Sequence, residues 1–96
     1  MQREDVLSML KMDLQISASQ YDEYLMNMIK LAEKEIKKEG IAIEESETSG
    51  FSIEDGMLIQ MYAAYLYRKR KEQVVVMPRP LRYMLNNALF SQKGKV

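Results

Sequence analysis

The sequence predicts an all-α fold: a small bundle of about four helices, with the second and third long and antiparallel. Three observations predict it. Apolar residues recur at helical spacing, not alternating spacing, through four segments. Small polar residues, glycine and proline mark the starts and stops of those segments. The one β-branched run, Val74-Val75-Val76, is too short and isolated to found a sheet.

The first segment places Val6, Leu7 and Leu10 at helical spacing. Glu4 and Asp5 near its start suit the positive end of a helix dipole, so a helix is expected over about residues 3–11. Leu14 and Ile16 follow in a connector and are expected to plug the core. Ser17 with Gln20, and Ser19 with Asp22, are overlapping capping signals, the first fitting the capping box better. The helix they announce, about residues 18–39, carries the stripe Tyr21, Leu25, Met28, Ile29, Ala32 and Ile36. Glu33 and Lys37 read as an outer-surface pair one turn apart, beside Lys34 and Lys38. Gly40 reads as a left-handed cap that stops the helix, with Lys37 and Lys38 in the last turn.

Ile41-Ala42-Ile43 alternates briefly, and Glu44-Glu45-Ser46-Glu47-Thr48-Ser49-Gly50 reads as an exposed, mobile acidic loop. Its spacing does not match a calcium-binding EF-hand. Ser52 is expected to cap a third helix with Glu54 and Asp55 in its first turn. Met57, Leu58, Met61, Tyr62, Ala64, Tyr65 and Leu66 cover more than one face, so this helix is central or has a partner on its far side. It ends in Arg68-Lys69-Arg70-Lys71. Pro78 and Pro80 break any helix before them, and Pro80 suits the first position of a last helix. That helix, about residues 80–90, carries the stripe Leu81, Met84, Leu85, Ala88 and Leu89. Residues 1–90 therefore read as a single helical domain, and 91–96 as a flexible tail.

Composition narrows the function. The chain has no cysteine and no histidine, which removes disulfides, thiolate metal sites, the commonest zinc ligand and the side chain that most readily moves protons near neutral pH. No base, nucleophile or phosphate-cradling glycine loop accompanies the helix carboxylates Asp22, Glu23, Glu33, Glu35 and Glu39, so no enzyme is expected. No cofactor is expected either. The charged start carries no apolar run of a signal peptide, and no stretch approaches the length of a membrane span. Net charge is zero but divided. Residues 1–56 hold 13 acidic and 6 basic residues, a balance of −7, and residues 57–96 hold 1 and 8, a balance of +7. Folding could mix these charges over one surface, or leave an acidic and a basic face that meet between identical neighbours.

The order of parts carries a resemblance. A short acidic-started helix precedes Leu10-Lys11-Met12-Asp13-Leu14. The long helix Tyr21-Asp22-Glu23-Tyr24-Leu25-Met26-Asn27-Met28-Ile29-Lys30-Leu31-Ala32-Glu33 follows. A variable loop leads to Ile59-Gln60-Met61-Tyr62-Ala63-Ala64-Tyr65-Leu66-Tyr67-Arg68-Lys69-Arg70, and Met77-Pro78-Arg79-Pro80-Leu81 opens a final Leu-rich helix. Over nearly its whole length the chain resembles the head–tail connector (adaptor) proteins of tailed bacteriophages, also filed as phage DNA-packaging proteins. It departs from that pattern after the second helix, where the acidic run Glu44–Glu47 stands. The resemblance implies a prophage or phage source and a virion structural protein at the head–tail junction, made in the bacterial host cytoplasm. It implies assembly with itself as a ring of about a dozen subunits beneath the portal protein. The ring would extend the DNA channel and offer a surface to the tail-side connector protein, with packaged DNA passing through and no sequence-specific contact.

Candidate interface or channel residues are Tyr65, Tyr67, Arg68, Lys69, Arg70, Lys71, Met77, Arg79 and Arg82. The basic cluster reads equally as a solvated helix end that satisfies the dipole or as a surface that lines a channel or meets an acidic neighbour. Met57, Met61, Met77 and Met84 read as core filler, with an adaptable interface as the alternative. Tyr62, Tyr65 and Tyr67 cannot all face one core from one helix, which favours assembly. The competing reading is a small DNA-binding or regulatory helical protein, suggested by the basic C-terminal half. The balanced net charge opposes it.

Overall fold

The computed structural model describes residues 1–72 and 76–93. Four helices run in chain order, α1 Arg3–Leu14, α2 Asp22–Lys38, α3 Ile53–Lys71 and α4 Arg79–Lys93, with a 3-10 turn at Ser19–Tyr21 leading into α2. Among the described residues the sole β pairing is an isolated bridge between Ser46 and Gly50. The fold is therefore the all-α bundle that the sequence predicts. It is a slab, 43 × 36 × 18 Å along its principal axes. Val74 and Val75 of the expected extended run lie outside the described residues, and Val76 is exposed.

α3 is the central helix. Leu58, Ile59, Tyr62, Ala63 and Ala64 are all buried. Such a spread covers more than half the helix circumference, so α3 packs against α1, α2 and α4 together. α2 runs antiparallel to it, because Tyr24 meets Tyr67 while Glu35 and Glu39 at the other end lie in the field of Tyr62. α1 runs antiparallel to α2, pairing Arg3 with Glu33 and Lys11 with Asp22. The core between them is Val6, Leu10, Leu25, Ile29, Ile36 and Ile59, joined by Leu81 and Leu85 from α4.

Several boundaries differ from the expected ones, for local reasons. α1 continues to Leu14, because Gln15 takes the left-handed conformation (φ 58°) and the Ile16 N–H closes back onto the Lys11 carbonyl at 2.9 Å. Neither Ser17 nor Ser19 caps α2. Its entry is the 3-10 turn, with Ala18 as the extended residue before it and no side-chain cap. That turn swings Tyr21 out of the apolar stripe and leaves it exposed. Ser52 does cap α3, its Oγ accepting the Asp55 N–H at 3.1 Å, and Gly40 does end α2 with φ 92°. α4 starts one residue before Pro80, with the Arg82 N–H donating to the Pro78 carbonyl at 3.1 Å. It runs on through Lys93, past the expected end near residue 90. Residues 94–96, the rest of the expected tail, lie outside the described residues.

The largest correction concerns Glu33. It is not a surface partner of Lys37. It is buried, 6% exposed, and accepts two hydrogen bonds from Arg3: Nη2 to Oε1 at 2.8 Å and Nε to Oε2 at 2.9 Å. The same guanidinium donates to Glu45 Oε2 at 2.6 Å and lies 5.2 Å from the centre of the Phe51 ring. Arg3 thus ties α1 to α2 and to the acidic loop. The carboxylates, Glu33 first, push its pKa above even the usual arginine value.

The acidic loop is accordingly tethered at several points. The Met1 ammonium donates to the carbonyls of Ser49 and Phe51, each at 2.8 Å, and the Phe51 N–H donates to the Met1 carbonyl at 2.7 Å. Gly50 has φ 72°, and a Cβ there would run into the Met1 carbonyl oxygen. The loop and the first residue therefore fold as one turn.

Candidate assembly interface

The basic end of α3 is more engaged than its sequence suggests. Arg68 Nη2 lies 3.3 Å from Asp13 Oδ1, and Gln60 Nε2 donates to the other oxygen of the same carboxylate at 2.8 Å. Asp13 thus clamps α3 to the end of α1. The Lys69 ammonium lies 5.8 Å from the centre of the Tyr65 ring and the Lys71 ammonium 5.4 Å from that of Tyr67, within cation–π range. A hydrogen bond to Tyr67 raises the pKa of Lys71. Arg70 is exposed. Lys69 and Lys71 are exposed as well, so that Arg68 alone of the four is drawn back from the surface, by Asp13.

All three tyrosines of α3 lie in the core or pack against it, and none of them is exposed. Tyr62 is buried, its pKa raised by burial and by the charges of Glu39 and Glu35. Tyr65 and Tyr67 are half-buried. Tyr65 meets Tyr62 edge-on, and Tyr67 meets Tyr24 edge-on. Of the four methionines read as core filler, Met61, Met77 and Met84 pack against the core, but Met57 is exposed.

Arg79 and Arg82 sit in the first turns of α4, where no acidic residue stands. Cations there oppose the helix dipole. Arg82 approaches Glu39 at 3.9 Å, and Arg79 is exposed. Both border a shallow hollow of about 580 Å³ with Val76, Met77, Tyr83 and Asn86.

The structure adds residues that the sequence reading missed. Tyr83 and Phe90 are 68% and 69% exposed. They stand seven residues apart, which at 3.6 residues per turn puts them on one line of α4. That line is opposite Leu81 and Leu85, which are buried against α3. α4 thus has an inner aliphatic face and an outer aromatic one, and the i,i+7 spacing of Tyr83 and Phe90 was the available signal. Met12 on α1, 79% exposed, and Ile53 and Met57 on α3 are further exposed apolar side chains.

A cleft of about 740 Å³ lies between the 41–44 segment, the start of α3 and α4. Ile41, Leu58, Met84 and Ala88 give it an apolar floor, and Glu44, Glu54 and Asp55 an acidic rim. Burial pushes the Asp55 carboxyl above its usual range. Among the described residues no group of carboxylates is arranged to hold a metal ion, and no helix is long and apolar enough to cross a membrane. Comparison of the chain with family models, curated proteins and solved structures finds no match.

Proposed function

We propose that the chain is a virion structural protein, a head–tail connector that assembles as a ring beneath the portal, extends the DNA channel and joins head to tail. The order of its parts supports this reading, as the sequence resemblance implies. The observation that carries it is the two-faced α4. A helix whose inner face already satisfies the core gains nothing in folding from two exposed aromatic side chains on its outer face. Exposed aromatic residues of this kind mark contact surfaces. The partners are other copies of the chain, the portal protein and the tail-side connector, and DNA passes through without sequence-specific contact.

The DNA-binding alternative draws on the basic C-terminal half. Arg68 and Arg82 answer Asp13 and Glu39 within the chain, which leaves less free positive charge for phosphates than the sequence suggests. Native mass spectrometry over a range of concentration and salt tests the proposal. A discrete species near twelve or thirteen subunits supports the connector. A dimer that persists at every concentration, with tight and salt-sensitive DNA binding, favours the alternative.

A further inference from the structure

We propose that two of the exposed apolar surfaces are the two halves of one contact between copies. The outer face of α4 in one copy seats on the methionine face formed by α1 and α3 of the next. The inference rests on the assembly reading above and specifies which surfaces meet.

The α4 half is a stripe. Arg79, Tyr83, Asn86 and Phe90 follow at steps of 4, 3 and 4, one line of a helix, with Arg82 on its flank. Tyr83 and Phe90 supply the apolar area, and Arg79 and Arg82 the charge. The receiving half is built from two helices. On α1, Asp5, Met9 and Met12 follow at steps of 4 and 3. On α3, Ile53, Met57 and Met61 follow at steps of 4 and 4, with Glu54 beside them. Asp13 fixes how these stripes face. It bonds Gln60 and Arg68, so the α1 line one turn before it, at Met9, runs beside the α3 line that holds Met57. Arg3 and Lys11 point to the other side of α1, toward Glu33 and Asp22 of α2. On α1 and α3 the exposed methionines are therefore Met12 and Met57, with Met9 and Met61 half-buried, and methionine side chains adapt well to an incoming surface.

Charge selects the pairing. The α4 face carries Arg79 and Arg82, and the methionine face carries Asp5 and Glu54, all four exposed. Two α4 faces brought together would oppose arginines, and two methionine faces would oppose carboxylates. The favoured contact is therefore unlike with unlike. A contact of that kind leaves one free face at each end of any dimer and propagates to a ring. It also offsets Arg79, an exposed cation at the positive end of α4, whereas Arg82 already approaches Glu39 of its own chain.

The test uses two double variants at exposed positions: Tyr83→Ser with Phe90→Ser on the α4 face, and Met12→Ser with Met57→Ser on the methionine face. Circular dichroism confirms that both fold. Sedimentation velocity of each alone and of an equimolar mixture then reads assembly. The expected result is that wild type assembles beyond a dimer and each variant alone stays monomeric, its self-association weakened more than tenfold. The mixture should form a one-to-one dimer and nothing larger, because only one competent pair of faces remains. Since the chain has no cysteine, Met57→Cys and Tyr83→Cys proteins give a second readout. Their mixture, oxidised, should yield a crosslinked dimer in greater amount than either alone.

If wild type assembles but both double variants assemble equally well, this contact is overturned and the ring reading survives. If wild type is monomeric at all concentrations and no crosslink forms, the self-contact is overturned, and binding to an isolated portal ring decides the connector reading separately. If the variants lose portal binding and keep self-assembly, the faces belong to the portal and the inference is wrong.

Discussion

Arg3→Met should be among the most destabilising single substitutions in the chain, although it changes a residue three positions from the N-terminus. Arg3 is the partner that permits Glu33 to sit in the core. The Glu33 side chain is 8% exposed, and both of its oxygens are taken by the guanidinium at 2.8 and 2.9 Å. Removing one member of a buried pair leaves the other charge stranded, at a cost of about 3–5 kcal/mol. The Arg3 side chain is itself 31% exposed, so water reaches the vacated site and reduces the cost below that range, to about 2–3 kcal/mol. In a domain of this length each kcal/mol lowers Tm by about 4–8 °C, which gives a fall of about 8–24 °C. Met keeps the apolar stem over Phe51, so the loss reports charge and not packing. Urea denaturation followed by far-UV circular dichroism measures it. The double variant Arg3→Met with Glu33→Leu should recover to within about 1 kcal/mol of wild type, because no orphaned charge remains. Glu45→Gln, which removes the solvent-exposed partner of the same arginine, should cost less than about 1 kcal/mol. A loss below about 1 kcal/mol for Arg3→Met, or a double variant no better than the single, would refute the view that Glu33 depends on Arg3.

The remaining predictions follow from backbone and caps. Gly50→Ala should cost about 2 kcal/mol by thermal denaturation, because its positive φ and the Met1 carbonyl both exclude a Cβ, whereas Gly56→Ala should be close to neutral, because the Met1 side chain it meets is flexible and alanine favours the helix. Gln15→Gly should raise stability by about 0.5–1 kcal/mol, since it relieves a left-handed residue at the α1 cap. Ser52→Ala should cost about 1 kcal/mol through the lost cap on the Asp55 N–H. Burial raises the Asp55 pKa, so the native state holds that proton more tightly than the unfolded chain. Its contribution is present below the unfolded value and is lost as pH rises through the folded one. Chemical denaturation across pH 3–7 should therefore show Asp55→Asn gaining stability relative to wild type as pH rises.

How far the sequence spoke for the fold depended on the range of each interaction. The α2 stripe, the Gly40 stop, the Ser52 cap and the central place of α3 were legible, because each is set by neighbours within one or two turns. Glu33 was not. Four residues before Lys37 on a helix with many charges, it has the local signature of a surface pair, and its true partner lies 30 residues away on α1. Arg68 misled in the same way. It reads as part of a basic cluster, and Asp13, 55 residues distant, takes it out. The loop is exposed as read, but its anchors, the Met1 ammonium and Arg3, were not legible because they lie at the far end of the chain. The interface was legible only in part. Arg79 and Arg82 were identified from charge, but the aromatic pair Tyr83 and Phe90 was passed over. A single strong leucine stripe on α4 drew the eye to one face, and the opposite face carries only two apolar residues.

The placement of charge bears on why such a small domain would hold two apolar faces in water. Opposite polarity keeps the faces from pairing with themselves, so the exposed area does not lead to indiscriminate association. At low concentration each face is a modest patch that a soluble monomer tolerates. In the proposed assembly, a template that aligned copies side by side would bring the basic aromatic face of each subunit to the acidic methionine face of the next and raise the local concentration of partners steeply. Under the proposed assembly each subunit would make this contact twice, so that a closed ring would be held more firmly than a dimer. Raising the salt concentration should dissolve the assembly before it unfolds the subunit, since the exposed charges are screened long before the core is disturbed.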